Sequence, residues 1–216
     1  MSGGAALAAD AVATAVAGIA ERGYAVVAGA LPEATVAALR VRALALDAAG
    51  ELAPARVGRG AGLGRHDDVR GDRIRWLPER SDDPAEGDAL AWLAALRVAC
   101  NRALMMGLVG FEGHYALYPP GGFYARHLDR FRDDDTRALS CIVYLNERWR
   151  RADGGALRLY VDAATTLDVL PEGGTLVAFR ADAFEHEVLP AARTRIALTG
   201  WFRRRPLASG SFGGPC

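Results

Sequence analysis

From His114 to Phe202 the chain is cut into short apolar or alternating segments, each closed by a turn signal, and this cadence constrains the fold more than any other feature. The candidate strands are residues 114–118, 124–129, 139–145, 156–161, 166–170, 175–179, 185–189 and 195–202. Between them stand Pro119-Pro120-Gly121-Gly122, Asp133-Asp134-Asp135, Asp153-Gly154-Gly155 and Pro171-Glu172-Gly173-Gly174, residue types that favour turns for separate steric reasons. About eight short strands at near-regular spacing predict a double-sheet jelly roll, a double-stranded β-helix.

The front half reads as helical. Residues 5–22 and 32–49 are rich in Ala, Leu and Val with polar residues at helical spacing, and Pro32 opens the second at or near N1. Residues 24–29 between them look like a short strand, and 73–77 alternate like another. Residues 84–106 give a third helix, with Leu90, Leu93, Ala94, Leu96 and Ala99 as expected buried positions. Residues 55–71 are rich in Gly and Arg with little apolar content, so they are expected to form an exposed, mobile loop. The prediction is one α+β domain spanning 1–216: about 5–110 mainly helical support packed on one sheet, 111–203 the jelly-roll core, and 207–216 a flexible tail.

Charge and composition narrow the partners. The 26 basic and 26 acidic side chains cancel, which disfavours a dedicated nucleic-acid or anionic-membrane binder. Every basic residue is Arg, so no Schiff-base or P-loop lysine mechanism is open to this chain. Cys100, Cys141 and Cys216 are scattered, without the spacing of a disulfide framework or a zinc site, which suggests a reducing, cytoplasmic compartment. The apolar stretch 5–20 is interrupted by Asp10 and has no basic residue before it, so it reads as an amphipathic helix rather than a signal or a span.

Four histidines are present: His66, His114, His127 and His186. His127 and Asp129 sit two apart in a candidate strand, where residues i and i+2 share a face, so an imidazole and a carboxylate can meet one ion. His186 lies 57 residues after Asp129 and joins them only if the sheet folds back on itself, as a jelly roll does. Two His and one carboxylate on one side of a metal leave open positions, the arrangement that suits non-haem Fe(II). Arg195 opens the apolar strand that follows, and a buried Arg there calls for an anion; Arg193 competes for that role. His66 and His114 are expected to be a loop and a strand residue with ordinary partners. Cys141 is expected to be buried and inert, and Arg203-Arg204-Arg205 an exposed cationic strand end.

Taken in order, Arg70-Gly-Asp-Arg-Ile-Arg-Trp76, Tyr118-Pro119, Arg126-His-Leu-Asp129, Cys141-Ile-Val-Tyr-Leu-Asn146, Gly154-Gly-Ala-Leu-Arg158, His186-Glu-Val188 and Arg193-Thr-Arg-Ile-Ala197 with Trp201 resemble the iron- and 2-oxoglutarate-dependent dioxygenases. The resemblance is narrower still, to the prolyl hydroxylase group with the animal oxygen-sensing enzymes and their bacterial relatives, and it covers roughly residues 20–203. It implies that His127, Asp129 and His186 hold Fe(II), and that Arg195, with the Tyr144 hydroxyl, binds the distal carboxylate of 2-oxoglutarate. Tyr118 is similar to the tyrosine near the oxo-acid end of that cosubstrate, and Trp201 to the aromatic lining the target proline's pocket. Asp72 and Arg137 fall where the family forms an ion pair at the mouth, and the 55–71 segment is expected to act as a lid. The activity so implied consumes 2-oxoglutarate and O2, with ascorbate as a possible reductant, and hydroxylates a prolyl residue of an intracellular protein. A translation elongation factor is one candidate target. Free proline, another small molecule, or a non-catalytic oxygen- or iron-sensing module on the same barrel are the alternatives. The Tyr118–His127 segment, with Pro119-Pro120, is shorter than in the animal enzymes and closer to the bacterial ones.

Overall fold

The computed structural model describes residues 2–56, 68–130 and 135–206, with side chains from Ala9 onward. The expected lid and tail therefore fall largely outside the described residues, as does His66. Three helices precede and flank a jelly roll: α1 (Ser2–Arg22), α2 (Glu33–Ala48) and α3 (Pro84–Leu104). The strands are β1 (Tyr24–Val27), β2 (Ala53–Pro54), β3 (Arg73–Trp76), β4 (Leu108–Tyr118), β5 (Tyr124–His127), β6 (Arg137–Tyr144), β7 (Leu157–Tyr160), β8 (Thr166–Val169), β9 (Leu176–Arg180), β10 (His186–Val188) and β11 (Arg195–Arg204). They form a seven-stranded sheet in the order β1-β9-β6-β11-β4-β3-β2 and a four-stranded sheet in the order β5-β10-β7-β8.

Period-two alternation sorts the larger sheet's side chains onto two faces. On β6, Leu139, Cys141 and Val143 face the helices and join Leu39, Leu93 and Leu96 in one core. Ile142 and Tyr144 face the smaller sheet and join Leu157, Leu159, Val169 and Phe179 in another. On β11 the same rule sends Ile196, Leu198 and Phe202 to the helices and Ala197 inward. The expected helices-on-one-sheet jelly roll is the fold found.

The ends of the helices have local causes. In α1 the buried Ala11, Ala15 and Ile19 recur every fourth residue, and Gly23 at φ 80 closes the helix by donating to the Ile19 carbonyl. In α3 the Asp83 carboxylate accepts from the Ala85 and Glu86 amides, with Pro84 in the first turn. The buried face of α3 is set by Ala89, Trp92, Leu93, Leu96 and Cys100. Leu93 and Leu96 are as expected, whereas Ala94 is exposed and Leu90 and Ala99 are only half-buried. So many alanines surround this helix that periodicity alone does not choose the face.

The strand β4 begins six residues before its expected start. Gly107, Gly110 and Gly113 mask the strand signal there. Gly113 pairs with Gly200 of β11, and a Cβ on either would lie 2.4–2.5 Å from the Phe111 ring. The ring occupies the space that the two glycines leave.

Candidate metal centre

The smaller sheet brings the two candidate histidines together. Strands β5 and β10 are antiparallel neighbours, and His127 and His186 are partners in their register, with ring centroids 4.2 Å apart. Asp129 lies just past the end of β5, in a bend rather than within the strand as expected. It still turns inward while Leu128 points out, so the alternation survives the end of the ladder. One donor atom from each of the three lies within 4.8 Å of the others.

The protonation of the triad follows from its hydrogen bonds. His127 Nδ1 is 2.7 Å from the Ala125 carbonyl, and His186 Nδ1 is 3.2 Å from the Phe184 carbonyl. A carbonyl only accepts, so each Nδ1 carries the hydrogen and each Nε2 keeps its lone pair. Those bare nitrogens face Asp129 at 3.6 and 3.5 Å. Burial lowers the His186 pKa to about 4, with the His127 ring acting in the same direction and Asp129 against it. Burial would raise the Asp129 carboxyl, but the positive charge the facing rings carry when protonated and the bond donated by the Ser140 hydroxyl, 2.6 Å away, hold it below the ordinary range. Two lone pairs and a carboxylate converging without a proton between them are electrostatically incomplete until a cation joins them. These donors fit Fe(II), which takes imidazole nitrogen and carboxylate oxygen.

A pocket of about 470 Å³ of atom-free space, partly open to solvent, runs from this triad to Arg195. Arg195 is 2% exposed, and the one side-chain hydrogen bond it makes among the described residues runs from Nε to the Gly155 carbonyl, at 2.9 Å. Gly155 has φ 69, and a Cβ there would press on Ala191 at 2.8 Å, so the Asp153-Gly154-Gly155 turn that punctuates the sequence also shapes the seat of Arg195. The guanidinium lies 5.2 Å from the Tyr118 ring centroid and 5.0 Å from that of Tyr144. The Tyr144 hydroxyl is buried without a hydrogen-bond partner, and its pKa is pushed up to about 12 by burial, against the Arg195 charge. A buried guanidinium with no carboxylate beside it costs several kcal/mol by general estimate unless an anion arrives. Arg193, the competing candidate, lies on the surface against Trp149 and Asp153.

The mouth departs from expectation in two places. Asp72 pairs with Arg70 rather than Arg137, through two bonds of 2.7 and 2.6 Å. Arg70 is two residues away and pinned in place, bridged to Tyr124 and 4.3 Å from its ring centroid, so it takes the carboxylate first. Arg137 instead bonds Glu112 and the Asp129 carbonyl, with its guanidinium 3.5 Å from the Trp201 ring centroid. His114 is a strand residue as expected, but its Nδ1 is buried without a hydrogen-bond partner among the described residues, and it lines the pocket. Sequence reasoning assigned no role to the polar pocket residues Arg70, His114, Tyr124 and Thr199, nor to Ser140, which bonds Asp129. The alternation that places Ile142 and Tyr144 inward also places Ser140 there, and so was the available signal for it.

Residues 113–203 match the 2OG-Fe(II) oxygenase superfamily. The chain superposes on a prolyl-4-hydroxylase of Pseudomonas putida with a TM-score of 0.83 and 45% identity, covering 90% of this chain and 99% of that one. The protein belongs to the 2OG-Fe(II) oxygenase superfamily, and within it this chain is similar to prolyl hydroxylases. Human Egl nine homolog 1 is 35% identical over 145 residues, which is 62% of this chain and 33% of that protein. The hypoxia-inducible factor prolyl hydroxylase of Caenorhabditis elegans is 40% identical over 104 residues, 44% of this chain and 14% of that protein. The chain thus spans a third or less of these two curated relatives. None of its described helices is long and apolar enough to cross a membrane.

Proposed function

We propose that this protein is an Fe(II)- and 2-oxoglutarate-dependent dioxygenase that hydroxylates a prolyl residue in a protein, releasing succinate and CO2. The observation that carries the reading is the meeting, in one pocket, of three convergent metal donors and a buried Arg195 with no protein anion. The 45% identity to a prolyl-4-hydroxylase along nearly all of that chain supports the prolyl substrate. The name of the Caenorhabditis relative, hypoxia-inducible factor prolyl hydroxylase, favours a protein over a free amino acid.

His127, Asp129 and His186 are the residues that would hold the iron, which with 2-oxoglutarate and O2 supplies the oxidising power for attack on a C–H bond. The Arg195 fork, held by Gly155, offers its terminal N–H groups to the distal carboxylate, and the Tyr144 hydroxyl is a second donor. Tyr118 lies across from Arg195 in the β4–β11 register and walls the same end. Ala116, Ile142, Leu157 and Val188 line the pocket between the two ends and keep water from the reacting groups. Trp201, with Arg137 over its ring, faces the open end, where an extended substrate segment would lie. At the rim, Val69, Arg70 and Gly71 are fastened to β5 or to Phe123 beside it.

The test follows succinate from purified protein with Fe(II), 2-oxoglutarate and O2 while host-cell lysate is added, and then maps peptides heavier by one oxygen atom. Lysate-stimulated succinate with a single hydroxyprolyl peptide is the expected result. Stimulation by free proline alone would replace the protein substrate with a small one. Tight iron binding without succinate under any condition would favour the sensing module.

A further inference from the structure

Each of the three candidate metal donors carries a hydrogen bond that fixes it, and the three anchors differ in kind. His127 and His186 are turned by backbone, through Nδ1 to the carbonyls of Ala125 and Phe184, each two residues back along the chain. The Asp129 carboxylate is held by a side chain from another strand: the Ser140 hydroxyl of β6, eleven residues on, lies 2.6 Å from Oδ2. A carboxylate only accepts, so the hydroxyl donates, and the length is that of a charge-assisted bond. The same strand reaches Asp129 a second time, from Arg137 Nη1 to its backbone carbonyl at 3.3 Å. Both contacts fall on a residue that stands in a bend past the end of β5, where the ladder no longer holds the chain.

Ser140 is polar where packing calls for an apolar residue. It is 1% exposed, and its cross-strand partners are Phe179 on β9 and Trp201 on β11. A hydroxyl buried among aromatic rings is costly unless it is bonded, and the bond it makes is to a candidate metal ligand. That bond makes the two carboxylate oxygens unequal. Oδ1 faces His127 Nε2 at 3.6 Å, whereas Oδ2 faces His186 Nε2 at 3.5 Å and also takes the Ser140 hydrogen. An oxygen that accepts a hydrogen bond gives up part of its charge to it, which leaves Oδ1 the stronger donor toward a cation. A carboxylate that offers one oxygen rather than two also spares a position on the ion it binds.

We propose that Ser140 is a positioning residue for the metal centre: its hydroxyl holds Oδ2 of Asp129, so that the carboxylate turns Oδ1 alone to the ion and leaves open a position that chelation by both oxygens would close. This deepens the metal-centre reading above and rests on it.

The test titrates Co(II) into the purified metal-free protein. It reads the dissociation constant by competition with a chelating dye, and the visible absorption of the bound ion. Ser140→Ala removes the hydroxyl, and Ser140→Thr keeps it. The expected result is a Co(II) Kd raised about 10- to 100-fold in Ser140→Ala with an altered absorption band, and a return of both toward wild type in Ser140→Thr. A Kd within about twofold of wild type in Ser140→Ala overturns the proposal, as does an equal weakening in a Ser140→Thr protein that urea unfolding shows to be as stable as wild type. A second measurement needs no variant. The crystal structure of the Co(II)-loaded wild type should show one Asp129 oxygen on the ion and the Ser140 hydroxyl on the other. An ion held by Oδ2, or by both oxygens, overturns the proposal while leaving the metal centre in place. If the wild type binds neither Co(II) nor Fe(II), the metal-centre reading itself has failed, and this inference falls with it.

Discussion

The two faces of the seven-stranded sheet are built from the same strands and follow opposite rules. Toward the helices, alternate residues of β4, β6 and β11 are apolar and close-packed, and the buried Glu86 is shared among Ser81, Tyr115 and Arg42. Trp92 Nε1 and Arg75 NH1 are the buried side-chain atoms on that side left without partners. Toward the smaller sheet, the intervening residues include Arg195, Tyr144, His114 and Trp201, which have lone or missing partners clustered around one space. One face stores stability, and the other withholds its polar groups from each other for something that binds. An unsatisfied buried group is a cost of about 1–3 kcal/mol, so the gathering of three of them around one pocket marks a place where the fold gives up stability.

Substitutions can break this contrast. Asp129→Ala should have the largest effect, a fall in turnover of about 10³-fold or more with loss of iron binding, checked by succinate release and metal analysis. Its metal-free stability should change far less. On the opposite face, Leu96→Ala removes a fully buried side chain from the helix core and should lower unfolding free energy by about 2–5 kcal/mol in urea titration, with the KM for 2-oxoglutarate unchanged.

A pH effect sharpens the comparison. The His114 pKa falls from 6.5 to about 4 on folding, so between those values the unfolded chain binds the extra proton. Stability is complete above about pH 6.5 and declines as pH falls toward 4, by up to about 3 kcal/mol from this one group. The buried His186 acts in the same direction, so the difference between wild type and His114→Phe isolates the His114 contribution, read by urea unfolding of metal-free protein at several pH values.

The smallest expected shift in stability is the most discriminating. Arg195→Met replaces a buried, anion-less guanidinium with an apolar chain of similar length, so metal-free protein should be unchanged or more stable by about 1 kcal/mol. The same variant should need about 100-fold more 2-oxoglutarate. A large loss of stability, with normal cosubstrate requirement, would place Arg195 among the structural residues.

Much of this was legible in the sequence, for identifiable reasons. Turn chemistry marked nearly every strand boundary of the jelly roll, because Pro and Gly leave few conformational choices. Arg195 stood out by its place at the head of an apolar strand, and Tyr144 and Trp201 through the family resemblance; period two is the physical reason that all three share a face. Less legible were the glycine-diluted start of β4, the buried face of the alanine-rich α3, and the bend that carries Asp129 past its strand. In each case local propensity was weak and packing made the choice.

The sequence by itself determined the alternation, the turns and the identities of the groups able to bind iron and an anion, because these are properties of residues and their near neighbours. Only the tertiary structure decided that His127 and His186 are register partners, that Asp72 takes Arg70 and not Arg137, and that the His114 Nδ1 stands unpartnered in the pocket wall. Those outcomes depend on which of several distant groups arrives within hydrogen-bond reach. Hydrogen bonds and charges are satisfied over a few ångströms, while the sequence separations that feed them run to tens of residues.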